Sequence, residues 1–176
     1  MKTDVAVVES NGKHLEYALN TIEGLAEVQK LSSKETMHLR LLAEEVFAIV
    51  RLAVRDFSAR FWAEGEGKEY RLILESDVFT TDKEKSDLLS LASTGENEAD
   101  LGIGQRLARM FRIGACGQVE DGYSWSLNNF KKELEESSDP STALEHMEKS
   151  VIANLASNVR VSVSNGKIRL IVDKVF

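Results

Sequence analysis

The longest pattern of apolar positions in the chain runs over residues 37–57, where apolar side chains recur at steps of three and four residues. This spacing places them on one face of a helix. Ser32 precedes the run and Glu35 follows three positions later, which is the signature of a capping box at a helix start. The pattern therefore predicts a long helix with one buried face. The apolar residues of that face are Leu42, Val46, Ile49, Val50, Ala53 and Phe57.

Shorter patterns predict the elements on either side of this helix. The β-branched run at residues 5–8 predicts a strand, and helical spacing of apolar residues predicts a helix over residues 14–29. Apolar and polar residues alternate over residues 59–63 and 70–74, so we expect a hairpin with a longer loop at residues 64–67.

The region after residue 100 carries a second group of helix and turn signals. Apolar residues at helical spacing predict a helix over residues 104–112. An Asp-Gly turn at residues 121–122 predicts a hairpin between residues 117–120 and 123–127.

The last forty residues contain a predicted helix and the clearest turn signal of the chain. The helix starts near Pro140, the only proline, and presents the apolar stripe Leu144, Met147, Val151 and Leu155. Asn165 and Gly166 favour a two-residue type I′ turn. That turn pairs Val163 with Ile168, Val161 with Leu170 and Val159 with Val172 on one apolar face.

Together these elements predict an α+β protein. We expect a two-layer α/β sandwich with a mixed, mainly antiparallel sheet and helices on one face, because half-buried strands alternate with one-sided helices. Residues 1–127 form the predicted core domain. Residues 128–176 form a predicted helix-hairpin extension packed on it.

Composition narrows the classes of function. The net charge of −7 over 176 residues argues against nucleic acid as a partner. Cys116 is the only cysteine, so no disulfide forms within the chain and a cytoplasmic location is the simplest expectation. The first ten residues do not have the pattern of a signal peptide, and no apolar run is long enough to span a bilayer, so a membrane location is not expected.

Glu45 departs from the pattern of the long helix. Its neighbours one turn away are the apolar residues Leu41, Ala48 and Ile49. A carboxylate in such surroundings must be paired, protonated or used chemically, so Glu45 is the first candidate functional residue and should be partly buried.

Three stretches lie in a characteristic order. Glu45 ends the helical stretch Arg40-Leu41-Leu42-Ala43-Glu44-Glu45, the strand at residues 72–75 runs into Ser76 and Asp77, and a Gly-x-Gly at residues 102–104 opens a helix. Over roughly residues 3–127 this order resembles the Bergerat-fold, or histidine-kinase-like, ATPases, and among them the anti-sigma-factor serine kinases.

The resemblance implies a role for each stretch. Glu45 would be the general base, Ser76 and Asp77 would stand where the family binds adenine, and the phosphates would lie at the glycine turn. The residues of that turn are Gly102, Ile103, Gly104 and Gln105. The implied cofactor is ATP with Mg²⁺, and the implied partner is a transcription regulator.

Two positions depart from the family pattern. Ile49 stands where the family has its magnesium-binding Asn, four residues after Glu45. Ser76 stands in the place of the adenine-binding Asp, with Asp77 one residue late and Val78 in place of the Gly that follows. We therefore expect weak or absent ATP binding and no bound Mg²⁺.

Each candidate residue also has a purely structural interpretation. Glu45 could be a buried carboxylate with a hydrogen-bonding partner, and Asp77 a turn or cap residue. Gly102 and Gly104 could allow close packing at a tight turn, and Cys116 could be a small core residue.

Three functions remain open on the sequence alone. The chain could be an ATP-dependent serine kinase, a regulatory binding protein that keeps the fold without turnover, or an α+β protein whose resemblance is fortuitous. We favour the second and expect it to act through a protein partner. The edge or outer face of the hairpin in residues 138–176 is a candidate surface for a homodimer or another partner.

Overall fold

The computed structural model describes residues 1–54, 57–78, 101–136, 145 and 147–176. Within these ranges the chain forms six strands and five helices. The strands are β1 Ala6–Glu9, β2 Ser58–Glu66, β3 Glu69–Asp77, β4 Ser124–Ser126, β5 Asn158–Ser164 and β6 Lys167–Val175. The helices are α1 Leu15–Val28, α2 Ser33–Ala53, α3 Ile103–Ala115, α4 Leu127–Glu135 and α5 Val151–Leu155.

The strands form one sheet in the order β1-β2-β3-β6-β5-β4. The predicted two-layer α/β sandwich is confirmed, with the apolar faces of α1, α2 and α3 buried in one core. The sequence predicts a mixed, mainly antiparallel sheet, and every strand pair among the described residues is antiparallel.

The long helix α2 begins as the sequence predicts. The Ser32 hydroxyl accepts a hydrogen bond from the backbone N–H of Glu35 at 3.3 Å, and the Glu35 carboxylate accepts one from the N–H of Ser32 at 2.8 Å. The buried face of α2 packs on the sheet, where the rings of Phe47 and Phe61 lie 4.8 Å apart between centroids. The capping box and the buried face together fix the direction and the rotation of α2.

The hairpin of β5 and β6 has the predicted register but an unexpected position. Asn165 and Gly166 both have positive φ angles, 53° and 67°, as a type I′ turn requires. All three predicted cross-strand pairs are present. However, β6 also pairs along its whole length with β3, so the hairpin lies in the interior of the sheet. The predicted boundary at 127/128 coincides with the start of α4 and does not divide the sheet in the described residues.

Among the described residues, α3 is the main cover of the hairpin. Gly114 of α3 lies directly against Ile168 and Val163 of the hairpin. The expected cover was the stripe of the preceding helix, but Val151 is 40% exposed and α5 packs on α2 and α3. That helix is interrupted, because the chain turns at Lys149 before α5 starts. Leu144, Pro140 and the predicted helix start lie outside the described residues.

Two predicted loops differ in the structure. Residues 117–120 do not form a strand, and β4 pairs with β5 instead of forming a local hairpin. The turn between β2 and β3 is only Gly67 and Lys68, because both strands extend further than their apolar alternation indicates. In the described ranges, none of the helices combines the length and the apolar character that a membrane span needs.

Candidate functional site

The structure brings Glu45 and the glycine turn together at one cavity. Glu45 of α2 and the turn residues Gly102, Ile103, Gly104 and Gln105 line a cavity of 480 Å³. The described residues that complete the lining are Leu52 of α2 and Lys149, Ser150 and Val151 before and at the start of α5. Two of the three predicted motifs thus share a site although they are more than fifty residues apart in the chain.

Arg112 fixes the two helices that form the walls of this cavity. Its guanidinium donates from Nε to the carbonyl oxygen of Ala53 and from Nη2 to that of Leu52, both at 2.9 Å. These carbonyls belong to the last turn of α2, where helical carbonyls lack intrahelical partners and a cation is favoured. Arg112 therefore holds α3 against the C-terminal end of α2.

Glu45 is partly buried, as expected from the sequence. Its surroundings are more accessible to solvent than the sequence suggests, because Leu41 is 36% exposed and Ala48 is also exposed. Among the described residues its carboxylate has no hydrogen-bond or ion-pair partner. The structural interpretation, a carboxylate satisfied by a buried partner, thus finds no support in the described part of the chain. Glu45 is thus a half-buried acidic residue that lies where the core ends and the cavity begins.

The glycine turn presents backbone donors to the same cavity. Gly102 is the N-cap of α3, and the Gln105 side-chain oxygen accepts a hydrogen bond from its N–H at 3.1 Å. The N–H of Arg106 makes the first bond of the helix, to the carbonyl of Gly102 at 2.9 Å. The N–H groups of Ile103, Gly104 and Gln105 therefore precede the helical ladder, which gives the turn the chemistry of an anion site.

The close-packing interpretation of the two glycines is not supported. Gly102 has φ −63° and ψ 160°, a backbone conformation that any residue adopts. A Cβ atom on Gly104 would meet no described atom within 4 Å, and one on Gly102 would meet only the Gln105 side-chain oxygen at 3.8 Å. Neither glycine is required by its backbone angle or by its described neighbours. Glycine at such positions is useful where a ligand approaches the backbone closely.

The chain segment at 149–151 is the part of the site that the sequence analysis missed. Lys149 also lines this cavity, so a residue with a positive charge shares the surface with Glu45. Ser150 is the N-cap of α5 and accepts a hydrogen bond from the N–H of Ala153 at 3.3 Å. A serine before an apolar run was a readable helix-start signal. Its proximity to Gly102 depends on tertiary packing and has no local signal in the sequence.

Ser76 and Asp77 lie away from this cavity. The Ser76 hydroxyl donates to the carbonyl of Ser58 at 3.3 Å, and Asp77 is exposed and paired with Lys167 at 3.1 Å. The next residue, Val78, lies beside Gly117, just beyond the C-terminal end of α3. Since α3 has 13 residues, the two ends of this helix are about 20 Å apart.

Ile49 belongs to the core. It is 1% exposed and is packed with the apolar face of α2 against the sheet. In the parts of the chain that the structure describes, no group of three or more His, Cys, Asp and Glu residues is arranged to hold a metal ion. Cys116 is buried, as predicted for a small core residue.

Comparisons with protein-family models, with curated proteins and with solved structures gave no significant match in any of the three cases.

Proposed function

We propose that this chain is a regulatory binding protein built on a histidine-kinase-like ATPase architecture, and that it acts through contact with a protein partner without nucleotide turnover. The resemblance to anti-sigma-factor kinases favours a transcription regulator as that partner. The surface around the cavity at Glu45 and Gly102 is the proposed contact region.

The observation that carries this proposal is the position of Ile49. The residue four places after Glu45 faces the core, with 1% of its surface exposed, whereas Glu45 faces the cavity. Two residues four positions apart in a helix point in directions that differ by about 40°, and here the border of the core falls between these two directions. Position 49 therefore offers no ligand to a metal ion in the cavity, and an Asn there would be directed into apolar side chains.

The rim of the cavity supports a protein contact. Leu52 is 60% exposed and Val151 is 40% exposed, and both line the cavity. Leu41, one turn before Glu45 on α2, is a further exposed apolar side chain next to the residues that line the cavity. Apolar side chains grouped around a concave, partly charged surface are typical of sites that a partner covers.

A substitution at the rim tests the proposal. Leu52→Glu should abolish the partner contact, because burying an unpaired carboxylate in an interface is unfavourable. Val28→Glu is the matched control, since Val28 is also 60% exposed but lies at the end of α1. A photo-crosslinker at position 52 and one at position 28 would be compared in cells, with identification of the cross-linked protein by mass spectrometry. Equal cross-linking from both positions, or loss of the complex in both glutamate variants, would overturn the proposal.

A second function, ATP-dependent serine kinase activity, is favoured by the glycine turn. Its three backbone N–H groups and the ammonium of Lys149 suit phosphate oxygens, and Glu45 is placed on the same cavity as the candidate base. In this alternative Glu45 would accept the proton of a substrate hydroxyl, and the N–H groups would bind the transferred phosphate.

Calorimetry with ATP separates the two functions. The regulatory protein should give no magnesium-dependent heat, whereas a kinase should bind Mg-ATP and lose that binding in Gly104→Ala, where a methyl group would enter the phosphate site. Gly24→Ala is the control, because Gly24 also has no described atom within 4 Å of its Cβ position but lies in the middle of α1. Magnesium-dependent binding that Gly104→Ala removes and Gly24→Ala preserves would establish the second function and not the first.

A further inference from the structure

One face of the sheet has no helix on it among the described residues. The α1, α2 and α3 helices pack on the face that carries Phe61, Leu72 and Leu170. The opposite face, here called the open face, carries the alternate residues of each strand, such as Arg60 and Arg71, whose side chains are 48% and 50% exposed. A partner could reach these side chains directly.

The open face carries the same short pattern on three neighbouring strands. Each of β2, β3 and β6 presents, at alternate positions, an arginine, then a large apolar residue, then an acid. The three sets are Arg60, Trp62 and Glu64 on β2; Arg71, Ile73 and Glu75 on β3; and Arg169, Ile171 and Asp173 on β6.

Strand register aligns the apolar members of these sets into one row. Trp62 lies opposite Ile73, and Ile73 lies opposite Ile171. Ile73 is only 4% exposed, whereas Trp62 and Ile171 are partly exposed. The row crosses the middle of the face and has charged residues on both sides.

Because β3 runs antiparallel to its neighbours, the charges alternate along each side of the row. On one side the order is Arg60, Glu75 and Arg169, and Arg169 donates to the Glu75 carboxylate at 2.6 Å. On the other side the order is Glu64, Arg71 and Asp173, and Arg71 donates to Asp173 at 2.9 Å.

This arrangement pairs each arginine with an acid on a neighbouring strand of the same chain, and it also determines how the face can meet a second copy. Rotation by 180° about the apolar row exchanges the two sides while keeping each strand at its place along the row. Arginine then falls on acid at every one of the three strands. At the charged positions that flank the row, the face is therefore complementary in charge to a copy of itself, as an isologous two-fold interface requires. At the ends of β3 the same rotation brings Asp77 towards Glu69 of the second copy, so the complementarity is confined to the centre of the face.

We propose that the open face is a homodimer interface whose two-fold axis runs along the row Trp62, Ile73 and Ile171. Arg60 then faces Glu64 of the second copy, Glu75 faces its Arg71, and Arg169 faces its Asp173. Trp62 packs on the second Trp62 at one end of the row, where aromatic rings contribute strongly to interfaces. This proposal goes beyond the partner contact proposed above and does not depend on it.

The dimensions of the face suit such a contact. Strands β2, β3 and β6 have nine residues each, and six strands spaced by about 4.8 Å give a face of roughly 500–700 Å². A standard interface uses roughly 600–1,000 Å² per partner, so the face lies at the lower end of this range. Arg160 ends the row on β5 and would meet its own copy, but its charge is neutralised by Asp173 at 3.0 Å. Two sheets with these faces in contact form an aligned β-sandwich.

A charge-exchange experiment tests the axis itself. In a dimer of the Arg60→Glu variant, the glutamate at position 60 of each chain faces Glu64 of the other chain. In a dimer of the Glu64→Arg variant, two arginines face each other in the same way. Each variant alone should therefore dimerise at least about tenfold more weakly than the natural chain, which corresponds to about 1.4 kcal/mol. Mixed in equal amounts, the two variants should form a heterodimer, because glutamate at position 60 then faces arginine at position 64. Sedimentation velocity with one variant fluorescently labelled measures this pairing. A purely structural effect of either substitution would not be reversed by mixing.

A second pair of variants tests the apolar row. Ile171→Arg places two like charges at the axis and should weaken dimerisation by about 100-fold or more, since such contacts cost several kcal/mol. Val28→Arg, at a more exposed apolar position on α1, should leave it unchanged. A natural chain that stays monomeric up to its solubility limit would overturn the proposal. A dimer that Ile171→Arg does not weaken, or a charge-exchanged mixture that does not recover, would overturn it equally.

Discussion

Gly114 of α3 and Ile168 of β6 are in direct contact, and a Cβ atom on Gly114 would overlap the Cδ1 atom of Ile168. The same Cβ would stand 2.9 Å from the Val163 Cγ2 atom. This close approach lets α3 lie on the hairpin and sets the position of its N-terminal turn at the cavity. The helix predicted from the sequence covers residues 104–112 and ends before Gly114, so the sequence analysis gives no sign of this contact.

Gly114→Ala should therefore destabilise the fold by about 1–3 kcal/mol, the usual cost of inserting a methylene into a packed core. Gly24→Ala should instead stabilise it by about 0.5–1 kcal/mol, because Gly24 is a helical residue with open space at its Cβ position. Urea unfolding followed by circular dichroism measures both. Equal effects of the two substitutions would show that the α3 contact is not tight.

Ile49→Asn should destabilise the protein and not restore ATP binding. The substitution removes buried apolar volume and leaves an amide in an apolar core, so we expect a loss of about 2–4 kcal/mol. Ala48→Asn, at the exposed neighbouring position, should change stability by no more than about 0.5 kcal/mol apart from helix propensity. Thermal unfolding and calorimetry with Mg-ATP would be measured on both variants. A stable Ile49→Asn variant that binds Mg-ATP would mean that position 49 faces the cavity.

Glu35 should make the free energy of unfolding decrease as the pH falls into the acid range. A hydrogen bond from Lys68, at 2.5 Å, and hydrogen bonds from Ser32 lower the pKa of Glu35 from 4.5 to about 2. Because the folded-state pKa lies below the unfolded one, the ionised group stabilises the fold above pH 4.5. That contribution is lost as the pH falls from 4.5 to 2.

Glu35→Gln should therefore flatten the decline of the free energy of unfolding between pH 4.5 and pH 2. Lys68→Met should flatten it in part, since the capping hydrogen bonds with Ser32 remain. Glu136→Gln is the control, because the Glu136 side chain has no hydrogen bond or ion pair among the described residues; this variant should leave the slope unchanged. Urea titrations at a series of pH values give these slopes, and identical slopes for the natural chain and Glu35→Gln would contradict the assignment.

The parts of the fold that the sequence predicts well are those set by short-range signals. The capping box of Ser32 and Glu35, the type I′ turn at Asn165 and Gly166, and the register of the last hairpin all depend on residues that are close in the chain. The position of that hairpin does not. The hairpin would present the same apolar face at an edge of the sheet or in its interior. Its interior position is set by the pairing of β6 with β3, which is a contact between distant parts of the chain.

The candidate site shows the same division. Glu45 was identifiable as a carboxylate among apolar neighbours, and the glycine turn as a helix start without a side-chain cap. Lys149 and Leu52 reach the same cavity through the packing of α5 and α3 on α2, which no local pattern encodes. The rotation of α2 that turns Ile49 to the core was readable from its apolar stripe, because Ile49 is a member of that stripe.

The interior position of the hairpin leads to the last prediction. Deleting residues 138–176 removes β5 and β6, leaves β4 without its partner, and exposes the whole edge of β3. It also uncovers α3, whose buried residues Leu107 and Phe111 would lose the sheet below them. An exposed interior edge and an uncovered apolar face both favour aggregation, so the truncated chain should be unfolded or insoluble.

Point substitutions make the same prediction quantitative in the full chain. Leu170→Ala, in the fully buried row of β6, should cost about 2–5 kcal/mol, whereas Val175→Ala, where the side chain is 53% exposed, should cost less than about 0.5 kcal/mol. Both are measured by urea unfolding of the natural-length protein. A truncated chain that stays soluble and unfolds cooperatively at the same temperature as the full chain would show that β5 and β6 are not part of the structural core.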